Sequence, residues 1–188
     1  MTATESRPAD NAPAVVVVMG VSGSGKSTIG ARLASRLGWV FADADQFHPP
    51  TNIEKMSRGI ALTDEDRWPW LEAMAAWIDE TRDAKGHGVI ACSALKRSYR
   101  DVLIGDRRDV RLIYLRGEEA LIADRMAARH GHFMPGSLLQ SQFKALEEPG
   151  ADENPIVVSV EPQPDEIVDA ILSAMNGAED IRSEWVRQ

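Results

Sequence analysis

The sequence predicts a three-layer α/β fold, a five-stranded parallel sheet with helices on both faces. Two observations carry that prediction. Five short runs rich in Val, Ile and Leu, at 15–19, 39–42, 88–92, 111–115 and 156–160, alternate with stretches of helical periodicity. Strands so continuously apolar suit a parallel sheet covered on both sides. The first run also passes straight into Gly20-Val21-Ser22-Gly23-Ser24-Gly25-Lys26-Ser27, a G-x-x-x-x-G-K-S spacing set between a strand and a helix.

Taken in chain order, the helix expected over about 26–37 places Ile29, Leu33 and Leu37 on one stripe. The second strand run ends at Asp43-Ala44-Asp45. A longer helix follows the acidic start Thr63-Asp64-Glu65-Asp66 and aligns Trp70, Met74, Trp77 and Ile78. Pro69 is expected in or just before its first turn, because an interior proline removes a helical hydrogen bond. Another helix is predicted over about 118–129. A last one follows Pro164-Asp165-Glu166 and buries Ile167, Ile171 and Leu172. Two stretches, about 46–64 and 131–150, lack a core pattern, and such inserts carry substrate regions and lids. The expected organisation is a polar leader over 1–13, a single domain over 14–176 with a mobile lid at about 125–150, and a tail or short helix over 177–188.

The chain has 188 residues, of which 44% are hydrophobic and 27% charged, values ordinary for a globular domain. The formal net charge of −8 argues against a nucleic-acid partner, which calls for a basic footprint. The single cysteine, Cys92, rules out an internal disulfide. No run approaches the length needed to span a bilayer, and the expected setting is cytoplasmic.

In the glycine-rich loop, backbone N–H groups converge on an anion, and the following helix adds the positive end of its dipole. Gly20, Ser22, Gly23, Ser24, Gly25, Lys26, Ser27 and Thr28 are therefore the expected ATP contacts. Lys26 reaches the β/γ-phosphates, and the Ser27 hydroxyl ligates Mg²⁺. Asp43 and Asp45 end a parallel strand, where ligands of such sheets bind. One carboxylate can serve the metal and the other an acceptor hydroxyl. Asp45 is assigned to the acceptor and Asp43 to Mg²⁺. The cations Lys55, Arg58, Arg67, Lys96, Arg97, Arg100, Arg125 and Arg129 gather in irregular stretches of an acidic chain. Arg125 and Arg129 are four apart and share a helix face beside Gly-His-Phe-Met-Pro-Gly, as lid arginines that close on phosphates would. Cys92 reads as a buried small side chain rather than a nucleophile, with Ser93 and Lys96 the ligand-facing groups beside it. His48 and His132 sit in loop sequence, and neither has a second metal ligand at suitable spacing.

The chain resembles the gluconokinases of the thermoresistant type. The likeness rests on the phosphate loop, Asp43-Ala44-Asp45-Gln46-Phe47-His48-Pro49, Asn52 to Gly59, Leu62 to Leu71, Cys92-Ser93-Ala94-Leu95-Lys96 with Tyr99-Arg100-Asp101, Arg129 to Met134, Gln142-Phe143 and Leu146-Glu147-Glu148-Pro149. These blocks span nearly all of 15–175. The resemblance implies a P-loop NTPase fold like that of nucleoside monophosphate kinases. It also implies transfer of the ATP γ-phosphate to the 6-hydroxyl of D-gluconate, and a homodimer. It implies too that the exit loop of the last strand, with Gln163, holds the adenine. Gluconate needs carboxylates for its hydroxyls and a cation for its acid group, drawn from Asp45, His48, Lys55, Arg58, Arg67, Ser93, Lys96, Arg100 and His132. Shikimate kinase, which is similar in its phosphate loop and Asp-x-Asp, is the alternative.

Overall fold

The computed structural model describes residues 13–128 and 136–185, with side chains not described at 136–138 and 178–185. Strands β1 (Val15–Met19), β2 (Val40–Asp43), β3 (Gly88–Ala91), β4 (Val110–Arg116) and β5 (Ile156–Ser159) form one sheet in the order β2-β3-β1-β4-β5. Every pairing is parallel, with Val15 opposite both Gly88 and Val110. The chain steps from β1 outward to β2, back to β3, then across β1 to β4. The crevice at the carboxyl end of β1 is therefore the switch point of the sheet.

The alternation of β1 divides the core. Val15, Val17 and Met19 pack with Leu71, Met74 and Ile78 of α3 (Asp64–Asp83) and with Tyr99 and Leu103 of α4 (Arg97–Leu103). Val16 and Val18 face Ile29 and Leu33 of α1 (Lys26–Leu37) and Val168 and Ile171 of α7 (Pro164–Trp185). All five β1 side chains are wholly buried, so the loop that follows springs from the most rigid part of the sheet. Exposed pairs Arg32–Asp165 and Arg36–Asp169 run between α1 and α7, at 2.7 Å each.

Three further helices were not predicted: α2 (Pro50–Ser57), α4, and α6 (Gly136–Ala145). The first two have eight and seven residues, too short for periodicity to register. Helix α5 (Glu119–Ala127) occupies the expected place, and α7 continues through Trp185. Among the described residues, no helix is long and apolar enough to cross a membrane.

Pro69 departs from expectation, because it lies inside α3, beyond the first turn. A capping box between Thr63 and Asp66 already secures that turn. The buried Asn52 donates its Nδ2 to the Asp66 carbonyl at 2.8 Å. This bond also ties α2 to α3 beside the crevice.

Candidate active site

The loop after β1 is shaped to wrap an anion. Gly20 and Gly23 have φ of +151° and +81°. A side chain on Gly23 would meet Met126 Cγ of α5 at 2.7 Å, so the backbone there must stay bare. No side chain caps α1, which leaves its first N–H groups to a ligand. Ser24 is buried, and its Oγ has no partner among the described residues. An unsatisfied hydroxyl in a glycine-rich loop at a helix N-terminus fits a phosphate group. Lys26 Nζ donates to the Val21 carbonyl at 2.9 Å, and burial pulls its ammonium down to about 8. Thr28 stands exposed on the first turn of α1.

Ser27 Oγ donates to Asp43 Oδ2 at 2.5 Å, and Asp43 Oδ1 accepts from the Asp45 N–H at 3.1 Å. These are hard oxygen donors at the foot of the loop, a set that suits Mg²⁺ rather than a softer ion. Asp45 is exposed in the short turn just beyond β2, within electrostatic reach of both Lys26 and His48.

Beyond Asp45 the crevice is walled by aromatic rings. Trp70 Nε1 donates to the Ala44 carbonyl at 2.7 Å, and its ring carries His48 stacked 4.6 Å away at 4°. His48 Nδ1 is buried without a partner among the described residues. Burial, aided by Arg67, holds the imidazole below its ordinary pKa against the pull of Asp45. Farther on, Asp64 accepts from Lys96 Nζ at 2.7 Å and Tyr99 Oη at 2.5 Å, with Arg67 at 3.6 Å. Those donors hold the Asp64 carboxyl below its ordinary range, Lys96 first and then Tyr99. Lys55 pairs with Asp66 at 2.6 Å.

The shikimate kinase family profile matches residues 22–176. A gluconokinase of Gluconobacter oxydans (strain 621H) is 50% identical over 161 residues, 85% of this chain and 90% of that protein. The thermoresistant gluconokinase of Escherichia coli (strain K12) is 44% identical over 144 residues, 77% and 82% of the two chains. The crystal structure of a gluconokinase from Sinorhizobium meliloti 1021 superposes with a TM-score of 0.82 at 44% identity, covering 92% of this chain and 97% of that one. The chain belongs to the gluconokinases of the shikimate kinase family. It is an ATP-dependent sugar-acid kinase with the expected five-stranded parallel α/β P-loop fold.

Within this gluconokinase fold, the residues expected at the site do not all meet in the crevice. Arg100 is a correction. It is 2% exposed, its Nε and Nη2 pair with Glu153 at 2.5 and 2.9 Å, and its Nη1 donates to the carbonyls of Ala94, Leu95 and Glu147. A guanidinium so committed cannot also take a substrate; it pins the loop after β3 instead. The Arg58 side chain is 66% exposed and pairs with Glu54 one helical turn back. Arg125 donates to the carbonyls of Val160 and Glu161 at 2.6 and 3.1 Å. That contact joins it to the exit loop of β5, where the Gln163 N–H is bonded to Glu166, instead of to a neighbouring carboxylate or the phosphate loop. Arg129 and His132 lie outside the described residues.

The Ser93 carbonyl accepts from the Gly20 N–H at 3.4 Å, bringing the loop after β3 against the phosphate loop. Cys92 is 1% exposed, and burial pushes its thiol up to about 12, so it is inert packing as expected. Asp64, Tyr99 and Gln142 were not among the expected site residues, although each lies in a block that carries the family resemblance. In the fold Gln142 of α6 grips Ser22 twice, through Oε1 on the Ser22 N–H at 2.7 Å and Nε2 on its Oγ at 2.8 Å.

Proposed function

We propose that the chain transfers the γ-phosphoryl group of ATP to the 6-hydroxyl of D-gluconate, giving 6-phospho-D-gluconate and ADP. One observation carries the reading. Two buried polar atoms have no partner among the described residues, Ser24 Oγ in the phosphate loop and His48 Nδ1 in the aromatic-walled crevice within electrostatic reach of Asp45. A triphosphate satisfies the first, and a polyol hydroxyl satisfies the second.

In the reaction, the bond from the γ-phosphorus to the β–γ bridging oxygen breaks as a bond to the 6-oxygen forms in line. The hydroxyl proton passes to the Asp45 carboxylate late in the step. The loop N–H groups, Ser24 Oγ and Lys26 hold the phosphates and offset their charge. Mg²⁺, held by Ser27 and Asp43, would neutralise charge across the phosphates. His48 offers its ring nitrogen to a hydroxyl, and Ser93 of the loop after β3 is a second polar contact. Arg125 and Gln163 set the loop on which the base lies. By the resemblance, Arg129 would offset phosphate charge and His132 would contact the sugar acid. The functional unit in this reading is a cytoplasmic homodimer of one domain per chain, which sedimentation would test.

A coupled ADP-release assay across D-gluconate, shikimate and other sugar acids tests the proposal. Turnover with gluconate and none with shikimate is expected. The reverse preference, or hydrolysis indifferent to the sugar acid, would overturn it.

A further inference from the structure

The segment 142–148, which begins in α6, is fastened at both ends, and the two fastenings differ in kind. At one end Gln142 Oε1 accepts from the Ser22 N–H at 2.7 Å while its Nε2 donates to Ser22 Oγ at 2.8 Å. Neighbouring loop N–H groups are engaged by backbone: Ser24 turns back on the Val21 carbonyl at 3.2 Å, and Gly20 on the Ser93 carbonyl at 3.4 Å. Ser22 instead gives its N–H to a carboxamide from 120 residues away. That amide oxygen does for the N–H what an oxygen of a bound anion would do, without the charge. A phosphate oxygen makes a charge-assisted bond, roughly twice as strong as a neutral one, and so displaces it.

The place of Ser22 in the loop decides which phosphate does so. In a loop of this spacing the glycine-rich turn and the helix N-terminus cradle the α- and β-phosphates, and the lysine reaches on to the γ end. The uncapped first turn of α1 and the unpartnered Ser24 Oγ are the groups for the diphosphate part. Lys26 Nζ lies on the Val21 carbonyl at 2.9 Å, so the reach of the lysine ends at the neighbour of Ser22. Ser22 therefore marks the γ end. The other fastening is fixed. The Glu147 N–H donates to the Leu95 carbonyl at 2.8 Å, and Glu147 Oε2 accepts from the Arg97 N–H at 2.7 Å. The buried Arg100 holds the Glu147 carbonyl at 2.9 Å, and Glu148 takes the Tyr114 hydroxyl and the Arg116 guanidinium at 3.1 Å each. Leu95 follows Ala94, which is fully buried at a φ of +44°, a strained conformation that persists only where the surroundings hold it. A ligand that claims Ser22 thus frees α6 at Gln142 and leaves it anchored at 147–148.

We infer that Gln142 is a specificity-determining residue for the nucleotide, whose clasp on Ser22 is opened by the terminal phosphate of a triphosphate and left closed by a diphosphate. Helix α6 is released at this end while the γ-phosphoryl group is present, and is clasped again once that group has left. The clasp opposes the triphosphate alone, so it narrows the difference in affinity between substrate and product nucleotide. This rests on ATP as the donor in the functional reading above, and is independent of which sugar acid accepts.

The test is isothermal titration without any sugar acid, comparing MgADP with the magnesium complex of the β,γ-imido analogue of ATP. Gln142→Ala should tighten the triphosphate analogue about fivefold, the equivalent of one neutral hydrogen bond, and move the MgADP Kd by less than about twofold. Gln142→Glu sets a negative charge at the clasp and should weaken the analogue by about tenfold or more, with a smaller effect on MgADP. In the unmodified protein, amide hydrogen exchange across 139–145 should change with the analogue and keep its free-protein rate with MgADP. An equal shift of both nucleotides in Gln142→Ala, no shift in either, or a weakened analogue overturns the assignment. The same exchange response to the two nucleotides does so too. Failure of the unmodified protein to bind either nucleotide would sink the donor reading and the assignment with it. With no acceptor present, the choice of gluconate stands or falls separately, on the ADP-release assay above.

Discussion

Gln142 closes on Ser22 through two hydrogen bonds, one of them to a backbone N–H of the phosphate loop. That N–H is among the donors a phosphate would claim, so α6 and the nucleotide compete for one group. Gln142→Ala is expected to lower the Kd for ATP about fivefold, the equivalent of one neutral hydrogen bond of about 1 kcal/mol. Isothermal titration of both proteins measures it, and a weaker Kd in the variant would mean that Gln142 serves the bound state instead.

Lys26 is the main cation of the loop and sits beside Asp43 and Asp45. Lys26→Ala should reduce kcat by roughly 10²–10³, the scale of one preorganised electrostatic contact. Because burial brings this lysine down to about 8 in the free protein, its charge is present below that pH and lost above it. Affinity for ATP should therefore fall as pH rises through 8, with proton uptake on binding. Calorimetry in buffers of different ionisation enthalpy would detect that uptake.

Asp45 is the carboxylate proposed for the acceptor hydroxyl, whereas Asp43 is tied to Ser27. Asp45→Asn should lower kcat by about 10²–10⁴, the range for a general base, while leaving ATP affinity close to normal. Asp43→Asn should weaken the dependence on Mg²⁺. Equal losses of kcat and ATP affinity on changing Asp45 would give it a structural place.

Arg100 and Glu153 form a buried pair that braces the loop after β3. Removing one partner strands the other charge, so Glu153→Ala should cost roughly 3–5 kcal/mol of stability. Chemical denaturation reads that loss, and Arg100→Lys with Glu153 intact should also lower stability because a point charge cannot reproduce the forked contact.

Asp79 accepts from Arg107 at 2.6 and 2.7 Å and from Arg82 at 2.9 Å, and these donors hold its carboxyl at about 2. A carboxylate lowered in the folded state contributes stability above its unfolded value near 3.8 and loses it as pH falls toward 2. Urea midpoints should drop across that window in the parent protein. In Asp79→Asn the slope should be flatter, with lower stability at neutral pH.

Strand positions, the phosphate loop and the opening of α1 were legible in the sequence. Continuous Val runs, glycines at fixed spacing and a four-residue apolar stripe are local patterns that report local conformation. Cys92 was legible too, as a small side chain closing an apolar strand. The pair of carboxylates after β2 could be placed in the crevice because parallel strands present their carboxyl ends together. None of this separated one arginine from another. Arg100, Arg58 and Arg67 are alike in sequence, yet one is bonded into the core, one faces water and one stands over Tyr99. A cation's role depends on which carboxylates and carbonyls come within about 3 Å of it, and its partners here lie up to 53 residues away. Tertiary packing alone set those distances, the strain at Ala94, and the reach of Gln142 onto Ser22 across 120 residues.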